Sequence, residues 1–216
     1  MTTLGQRLSD LPGKHALFVV HLAKRRDRVS HLDAECRKHG LLPIVFPAFD
    51  GGLLYDAELR HSVRGRGEIG AYLSHLAILK MAQAMNLDFC TTAEDDFEFA
   101  PDLEPKLDKY WQAIPGDWQA IYFGGYHDQP PTVINEEVCQ LRSTWALTFQ
   151  ILRRPLIDQL VEEAERRIFM AVDVHYAALM GQKPFYCSRS PLVGQTDSFS
   201  DTRGCDMNND FIKVHV

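Results

Sequence analysis

The order strand, helix, strand near the start of the chain limits the folds that it can adopt. Residues 16–22 form an apolar run with the length of a strand that is buried on both faces. Residues 27–39 place apolar side chains at helical spacing and end at Gly40, and residues 43–48 have the composition of a second strand. A helix that joins two neighbouring strands returns the chain so that the strands run parallel. The sequence therefore predicts an α/β fold with a parallel sheet.

The length and charge of the chain limit the number of domains and the classes of function that it can have. With 216 residues it fits one domain that can bury a sizeable core. We expect a loose leader at residues 1–14, one domain at residues 15–200 and an irregular tail at residues 201–216. The net charge of −6 argues against a general nucleic-acid binder, which would carry a basic stripe.

The cysteines and the hydropathy bear on where the protein works. The five cysteines are odd in number and none is spaced C-x-x-C, a pattern that favours free thiols in a reducing compartment. The longest apolar run near the start, residues 16–20, is far too short for a signal peptide or a membrane span. These features predict a cytoplasmic protein with at most a peripheral contact with a membrane.

Apolar periodicity predicts further helices and strands along the rest of the chain. The clearest helix is residues 68–85, whose apolar side chains trace one broad face. Other predicted helices are residues 102–113, a segment that starts at Pro155, and residues 172–180. Other predicted strands are residues 87–93, 119–123, 138–141, 144–152 and 184–187, of which 138–141 and 144–152 have the alternation of antiparallel strands.

Three acids, Glu94, Asp95 and Asp96, follow the predicted strand 87–93 directly. Adjacent carboxylates repel one another and raise each other's pKa values, and a divalent cation relieves this repulsion. Carboxylate oxygens are the ligands that Mg²⁺ and Mn²⁺ prefer, and the carboxyl end of a strand is where α/β sheets bind ligands. The run predicts either a metal site or a solvated acidic turn.

Residues 65–70 match the pattern G-x-G-x-x-G of dinucleotide-binding proteins. That pattern needs a buried strand immediately before it, whereas residues 56–64 are polar. We expect these glycines to bring the start of a helix close to a neighbouring backbone instead. The sequence also lacks the P-loop pattern and the motifs G-x-S-x-G and H-E-x-x-H of hydrolases and metalloproteases.

Two histidines and one aspartate are open to two interpretations each. His75 lies within the predicted helix 68–85, where a histidine commonly packs against its neighbours. Asp173 and His175 lie two residues apart near a predicted helix start, where they could flank a site. Asp173 could equally cap that helix.

Four blocks of the sequence together resemble one known family. The most specific block is Gly67-Glu68-Ile69-Gly70-Ala71-Tyr72-Leu73-Ser74-His75-Leu76, and the others are residues 19–28, residues 48–51 and residues 94–96. They are similar to the blocks G-E-I-G-C-x-L-S-H, V-I-N-L-x-R-R-x-D-R and A-V-D-G and to the acidic metal motif of glycosyltransferase family 25, the lipooligosaccharide-type enzymes related to the collagen galactosyltransferases. The resemblance covers residues 16–201, with weaker matches at residues 172–173 and 191–195. His21 and Ala23 depart from the pattern of the first block.

The resemblance implies a fold and an activity. The fold would be a GT-A-type αβα sandwich with a central, mostly parallel sheet. The activity would be the transfer of a hexose, with inversion, from UDP-glucose or UDP-galactose to a hydroxyl of a glycan or glycoconjugate. The cofactor would be Mn²⁺ or Mg²⁺. The alternatives are a non-catalytic protein that binds sugar nucleotides or glycans with the same fold, and an NAD-type oxidoreductase that the missing strand disfavours.

The resemblance also implies roles for individual residues. Asp96 would bind the metal together with Glu94, and His175, Asp197 or Asp201 would supply a further ligand. Asp173 would be the catalytic base. The residues that would bind or shape the site for the donor are His21, Leu22, Lys24, Arg25, Arg28, Glu68, Ser74, His75, Glu94 and Asp95.

Overall fold

The computed structural model describes residues 2–54, 65–166 and 171–208. The helices are α1 (Leu4–Ser9), α2 (Val29–Lys38), α3 (Arg66–Ala84), α4 (Leu103–Ala113), α5 (Arg154–Arg166) and α6 (Val172–Ala177). The strands are β1 (His15–His21), β2 (Ile44–Pro47), β3 (Phe89–Glu94), β4 (Phe97–Phe99), β5 (Ala120–Tyr122), β6 (Tyr126–Gln129), β7 (Thr132–Val133), β8 (Val138–Gln140), β9 (Ser143–Trp145), β10 (Phe149–Arg153), β11 (Phe185–Ser188), β12 (Val193–Gln195), β13 (Ser198–Ser200) and β14 (Cys205–Met207). Two short 3₁₀ turns lie at Arg26–Arg28 and Gly51–Leu53.

An eight-stranded sheet with the order β2-β1-β3-β10-β5-β11-β8-β7 forms the centre of the molecule. Strand β1 runs parallel to β2 and β3, and β5 runs parallel to β11. Strands β10 and β8 run antiparallel to their neighbours, so the other six strands point the same way. The predicted α/β class with a mostly parallel central sheet is confirmed.

Helices cover both faces of this sheet, because successive side chains of a buried strand point to opposite faces. In β1, Leu17 and Val19 pack in one core with α1, α2 and α4, whereas Phe18 packs in a second core with α3, α5 and α6. Helices therefore shield both faces of the sheet from water at β1, which explains why the sequence of this strand is a continuous apolar run. The result is the three-layer αβα arrangement that the resemblance implied.

One edge of the sheet collects the segments that matter for function. Val20 of β1 lies beside Glu94 at the end of β3, and Phe149 at the start of the antiparallel β10 lies beside Ala93. The turn after β1, the acids after β3 and the loop before β10 therefore meet at the same edge. This is the edge at which α/β sheets bind ligands.

The expected loose leader is wrong, because residues 4–9 form α1. Thr3 caps this helix by accepting a hydrogen bond from the Gln6 N–H. Leu4, Leu8 and Leu11 are buried in the core beside α2 and α4. Leu4 and Leu8, four residues apart, lie on one face of α1, and Leu11 follows the end of the helix.

Two further segments differ from the sequence-based expectation. The single strand expected at residues 144–152 is divided into β9 and β10, because Ala146 has a φ of 67° and breaks the extended backbone. The expected irregular tail, residues 201–216, begins within a hairpin, in which Ser200 at the end of β13 lies opposite Cys205 of β14. We call residues 198–207 the C-terminal hairpin; residues 209–216 lie outside the described part of the chain.

Within the described ranges, every helix is too short or too polar to cross a membrane. All five cysteines are free thiols, and Cys205 is the exposed one. The cytoplasmic location and the limits of the domain stay predictions.

Candidate functional site

A cavity of about 810 Å³ opens at the edge of the sheet where these segments meet. Its wall combines the turn after β1, the start of α3, the acids after β3, the loop before β10, the start of α6 and the C-terminal hairpin. Most of the side chains that the sequence singled out lie on this wall, namely Leu22, Lys24, Arg25, Arg28, Ser74, His75, Glu94, Asp95, Asp96 and Asp173. The structure thus brings together residues that are up to about 150 positions apart in the chain.

Four of the singled-out residues, His21, Glu68, His175 and Asp197, are not on the wall. His21 lies behind Asp95 and contacts its carboxylate, and Glu68 accepts a hydrogen bond from the Gly65 N–H at the start of α3. His175 is buried, stacks on Tyr72 and lies 3.3 Å from the Glu163 carboxylate. Residues two apart on a helix point in directions about 200° apart, so His175 does not join the acids that Asp173 faces.

Asp95 is the charge-paired member of the acid run. Its side chain is buried, and its two oxygens bind Arg28 Nη1 at 2.5 Å and His21 Nδ1 at 2.6 Å. Since a carboxylate only accepts hydrogen bonds, His21 donates from Nδ1. Asp95 therefore fixes the turn after β1 to the end of β3.

Glu94 is the last residue of β3, and Asp96 lies in the turn that follows it. Their carboxylates converge on the side-chain nitrogen of Gln195, which lies 2.5 Å from Glu94 Oε2 and 3.3 Å from Asp96 Oδ1. Burial and the nearby charges of Asp96, Asp173 and Asp95 raise the pKa of Glu94 to about 8, although Arg28 opposes this shift. Burial likewise raises the pKa of Asp96. We call Glu94 and Asp96 the acid pair.

The acid pair fits a hard divalent cation. Two carboxylate oxygens reach one common position, now taken by an amide nitrogen, and the Gln195 amide could turn its own oxygen to the same place. Within residues 2–54, 65–166 and 171–208 no group of three His, Cys, Asp or Glu side chains is assembled for a metal. Mg²⁺ commonly uses one or two carboxylates together with substrate phosphates and water, so two carboxylates suffice.

The three cations after β1, which we call the cationic turn, are bound to acids. Lys24 contacts Asp50 at 3.0 Å and Asp201 at 3.1 Å, and Arg25 contacts Asp201 at 2.9 Å. Arg28 contacts the acid run and also donates to Ser198 Oγ at 2.7 Å. Asp201, a candidate metal ligand from the sequence, is thus engaged with two cations, and Asp197 does not lie on the wall.

The glycine-rich start of α3 packs against backbone, as expected. A Cβ on Gly67 would lie 2.5 Å from the Asp201 carbonyl oxygen, and one on Gly70 would lie 2.5 Å from the Phe49 carbonyl oxygen. Only glycine permits such close approach. The motif therefore closes the wall of the cavity by joining α3 to the C-terminal hairpin.

The first turn of α6 carries Asp173 and aims it at the cavity. The N-cap of this helix is Ala171, so the capping role considered for Asp173 is wrong. Its carboxylate accepts from the Val174 N–H at 2.8 Å and lies 3.5 Å from the Ala146 N–H. Glu94 and Asp173 both line the cavity, and the charge of Asp173 is close enough to raise the pKa of Glu94.

Two singled-out residues of α3 differ in their surroundings. Ser74 donates to the Gly70 carbonyl and accepts from the Phe49 N–H, so its hydroxyl holds α3 to the neighbouring loop. His75 is fully buried, and this burial lowers its pKa to about 4. His75 is therefore neutral at pH 7.

Several wall residues had no role assigned to them from the sequence. Asp50 lies in a block of the resemblance but had no assigned role, and Gln195 lies in one of its weaker matches. Tyr126 and Trp145 come from a region without a recognisable motif. Their place on the wall follows from strand pairing between β6 and β9, which no local pattern announces.

Known proteins are similar to this chain in sequence and structure. A crystal structure of a glycosyltransferase involved in the glycosylation of the major capsid of PBCV-1 superposes with a TM-score of 0.45 and 8% identity, covering 81% of this chain and 80% of that one. A glycosyltransferase 25 family member of Aedes aegypti is 26% identical over 197 residues, which are 81% of this chain and 32% of the relative.

Mammalian relatives give shorter or weaker matches. Procollagen galactosyltransferase 2 of Mus musculus is 28% identical over 133 residues, which are 53% of this chain and 21% of the relative. Inactive glycosyltransferase 25 family member 3 of Homo sapiens is 25% identical, covering 80% of this chain and 33% of the relative. The chain thus spans about a third or less of the length of these relatives.

The family comparison agrees with the site. The profile described as glycosyltransferase family 25 (LPS biosynthesis protein) matches residues 14–156, which include the cationic turn, the start of α3 and the acid run. These are the blocks that carried the resemblance in the sequence. The chain belongs to glycosyltransferase family 25.

Proposed function

We propose that the protein transfers a hexose from a UDP-sugar to a hydroxyl of a glycan or glycoconjugate, with inversion and with Mn²⁺ or Mg²⁺ as cofactor. The observation that carries this proposal is the convergence of Glu94 and Asp96 on one point at the edge of the cavity, next to the cationic turn. Family membership supports glycosyl transfer in general. The name of the mammalian procollagen galactosyltransferase favours UDP-galactose over UDP-glucose as the first donor to test.

The donor diphosphate would lie between the cationic turn and the acid pair. Lys24, Arg25 and Arg28 line this part of the cavity, and guanidinium groups bind phosphate oxygens with two parallel hydrogen bonds. Glu94 and Asp96 would hold the metal ion, which, when bound, stabilises negative charge on the leaving diphosphate as a Lewis acid. Burial, together with the neighbouring carboxylates, raises the pKa of Glu94 to about 8, and a bound cation would favour its charged form.

Asp173 is the proposed general base. In a single displacement the acceptor oxygen attacks the anomeric carbon, the bond to the diphosphate oxygen breaks, and the leaving oxygen keeps the electron pair. The hydroxyl proton passes to a carboxylate of the protein on the face opposite the leaving group. Asp173 suits this role because the Val174 N–H holds its carboxylate on the wall of the same cavity that the acid pair lines.

The alternative is a protein that binds sugar nucleotides or glycans without turning them over. The description of one human relative as inactive supports keeping this alternative. The presence of Glu94, Asp96 and Asp173 around one cavity favours catalysis, because binding alone would not require a base opposite the acid pair.

The test is thermal unfolding with UDP-galactose, UDP-glucose, GDP-mannose or NAD, each with Mn²⁺ or with EDTA. A ligand that binds the folded protein at a hundred times its Kd stabilises it by about 2.7 kcal/mol. We expect stabilisation by one UDP-sugar with Mn²⁺, its loss with EDTA, and its loss in Asp96→Asn. The matched control is Asp33→Asn, which changes an exposed aspartate paired with Arg37.

The same samples separate the proposal from its alternative. Release of UDP, measured by mass spectrometry with a mixed glycan acceptor, would establish transfer. Metal-dependent stabilisation without release of UDP or free sugar would favour the binding protein. Indifference to every sugar nucleotide would overturn the proposal.

A further inference from the structure

We infer that Tyr126 and Trp145 form a stacking platform for the sugar ring of the acceptor. This inference rests on the proposed function and names the part of the cavity that the acceptor uses. Two aromatic side chains here belong to a short ribbon, β6–β9, that stands apart from the central sheet. In the proposed function, neither ring binds the metal ion or the diphosphate of the donor.

The two rings form one surface. Tyr126 and Trp145 lie directly opposite each other in the β6–β9 ladder, so their side chains share a face of the ribbon. Their ring centroids are 5.7 Å apart, with an angle of 44° between the ring planes. Both rings line the cavity, and Tyr126 is 41% exposed.

The opposite face of the ribbon turns away from the cavity. Thr144, the neighbour of Trp145, is fully buried and contacts His127 through its hydroxyl at 2.8 Å. Because side chains alternate along a strand, this burial fixes the side to which Trp145 points. The aromatic face therefore looks into the cavity as a consequence of the fold.

The position of the pair along the sheet edge assigns it to the acceptor. The sheet order places β3, with the acids, between β1 and β10. The cationic turn follows β1, whereas Trp145 precedes β10 by a short loop. The diphosphate belongs on the cationic side of the acids, so the aromatic pair lies on the side where the attacking hydroxyl must come from.

The pair also adjoins the proposed base. Ala146 follows Trp145 directly, and its N–H points to the Asp173 carboxylate at 3.5 Å. Its φ of 67° is a left-handed conformation that costs a non-glycine residue free energy, so the surrounding structure must hold it there. One short segment therefore fixes both the ring of Trp145 and the position of Asp173.

The chemistry of this surface suits a sugar. A pyranose presents C–H groups on one face and hydroxyls around its rim, and the electron-rich face of an aromatic ring attracts the C–H groups. Partly exposed Tyr and Trp rings offer that face together with polar groups at their edges. A sugar stacked on the pair would present its hydroxyls to the neighbouring Asp173.

The test compares aromatic with aliphatic replacements. Trp145→Phe and Tyr126→Phe keep a ring, whereas Trp145→Leu and Tyr126→Leu keep apolar bulk without one. Methyl β-galactoside and methyl β-glucoside are the probes, and their binding to the complex with UDP and diamagnetic Mg²⁺ is followed by saturation-transfer NMR. Thermal unfolding with Mn²⁺ and UDP measures the donor side in the same variants.

We expect the Leu variants to bind one glycoside about tenfold more weakly and to keep their stabilisation by Mn²⁺ and UDP. The Phe variants should bind that glycoside within about threefold of the unchanged protein. Equal glycoside binding in the Leu variants would overturn the inference, as would the failure of both glycosides to bind the unchanged protein at millimolar concentration. Loss of UDP stabilisation in the Leu variants would also overturn it, because the rings would then stack on the uracil.

These outcomes are separate from a failure of the proposed function. If Mn²⁺ and UDP do not stabilise the unchanged protein, the donor site itself is refuted. If they do and the glycoside results fail, the transferase proposal stands and only the platform is lost.

Discussion

The cationic turn and the acid pair lie on the same cavity but differ in how their charges are balanced. Lys24, Arg25 and Arg28 each contact carboxylates at 2.5–3.2 Å. Glu94, by contrast, meets the neutral amide of Gln195, and burial together with the acids around it raises its pKa to about 8. Each cation of the cationic turn therefore has a carboxylate partner within the protein. In the acid pair, ionising Glu94 costs free energy, and a bound cation would lower this cost.

This difference indicates which charges also hold the fold together in the absence of a ligand. Buried charges that have partners lock segments together, and breaking one pair leaves the other charge stranded. Like charges that crowd without a partner are instead a signature of a functional site. Arg28 belongs to both regions, because it contacts Asp95 and Asp96 together.

The largest effect should follow from Arg28→Met. This change leaves the buried Asp95 without its cation and removes the positive charge next to Asp96. We therefore expect the free energy of unfolding to fall by about 3 kcal/mol. Urea unfolding at pH 7 measures it. Arg37→Met is the control, since Arg37 is 79% exposed in its pair with Asp33 and should lose less than about 0.5 kcal/mol. Equal losses in both variants would contradict the assignment of Arg28 to a buried pair.

A stabilising change is expected from Glu94→Gln. The pKa of Glu94 is about 8 when folded and 4.5 in its ordinary state. Between these pH values the folded protein binds more protons than the unfolded chain, so this carboxyl costs stability that grows as pH rises. Glutamine removes that cost, and we expect about 1–3 kcal/mol more stability at pH 7.

The gain in Glu94→Gln should disappear below pH 4.5, where Glu94 is protonated in both states. Stabilisation by Mn²⁺ with UDP should be lost in the same variant. A variant that is less stable than the unchanged protein at pH 7 would show that Glu94 is already balanced.

His15 gives a smaller pH dependence of opposite sign. It is the first residue of β1, at the opposite end of the sheet from the acids, and its Nε2 lies 2.8 Å from Thr91 Oγ1. Burial lowers its pKa from 6.5 to about 4. The unfolded chain then binds the extra proton between these pH values, so stability falls as pH drops. We expect His15→Gln to remove on the order of 1–2 kcal/mol of the loss between pH 7 and pH 5. Urea unfolding at both pH values checks this, and an unchanged loss would refute it.

The local sequence pattern correctly predicted the central strands and the position of the acid run at the edge of the sheet. Residues 16–22 and 87–93 were recognised as strands because a strand buried on both faces leaves a continuous apolar trace. The same reasoning placed the acids at a sheet edge. The spacing of Leu4, Leu8 and Leu11 also held a readable helix signal, which the expectation of a leader missed.

Contacts between residues that are far apart in the sequence could not be predicted from local patterns. No local pattern links Gln195 to the acid pair or Asp201 to Lys24 and Arg25, since these contacts form only when the chain has folded. The break at Ala146 was equally hidden, because alanine has no intrinsic preference for a positive φ. His175 could have been set aside from helix geometry alone, since it lies two residues from Asp173.

The hydrogen bonds of the C-terminal hairpin have a thermodynamic consequence. Arg25 Nη1 donates to the Phe199 carbonyl and the Asp201 carboxylate, and its other two nitrogens donate to Asp27. An anion that binds Arg25 therefore exchanges with oxygens of the protein rather than with water. Hairpin docking and anion binding are thus linked, and whatever strengthens one weakens the other by the same factor.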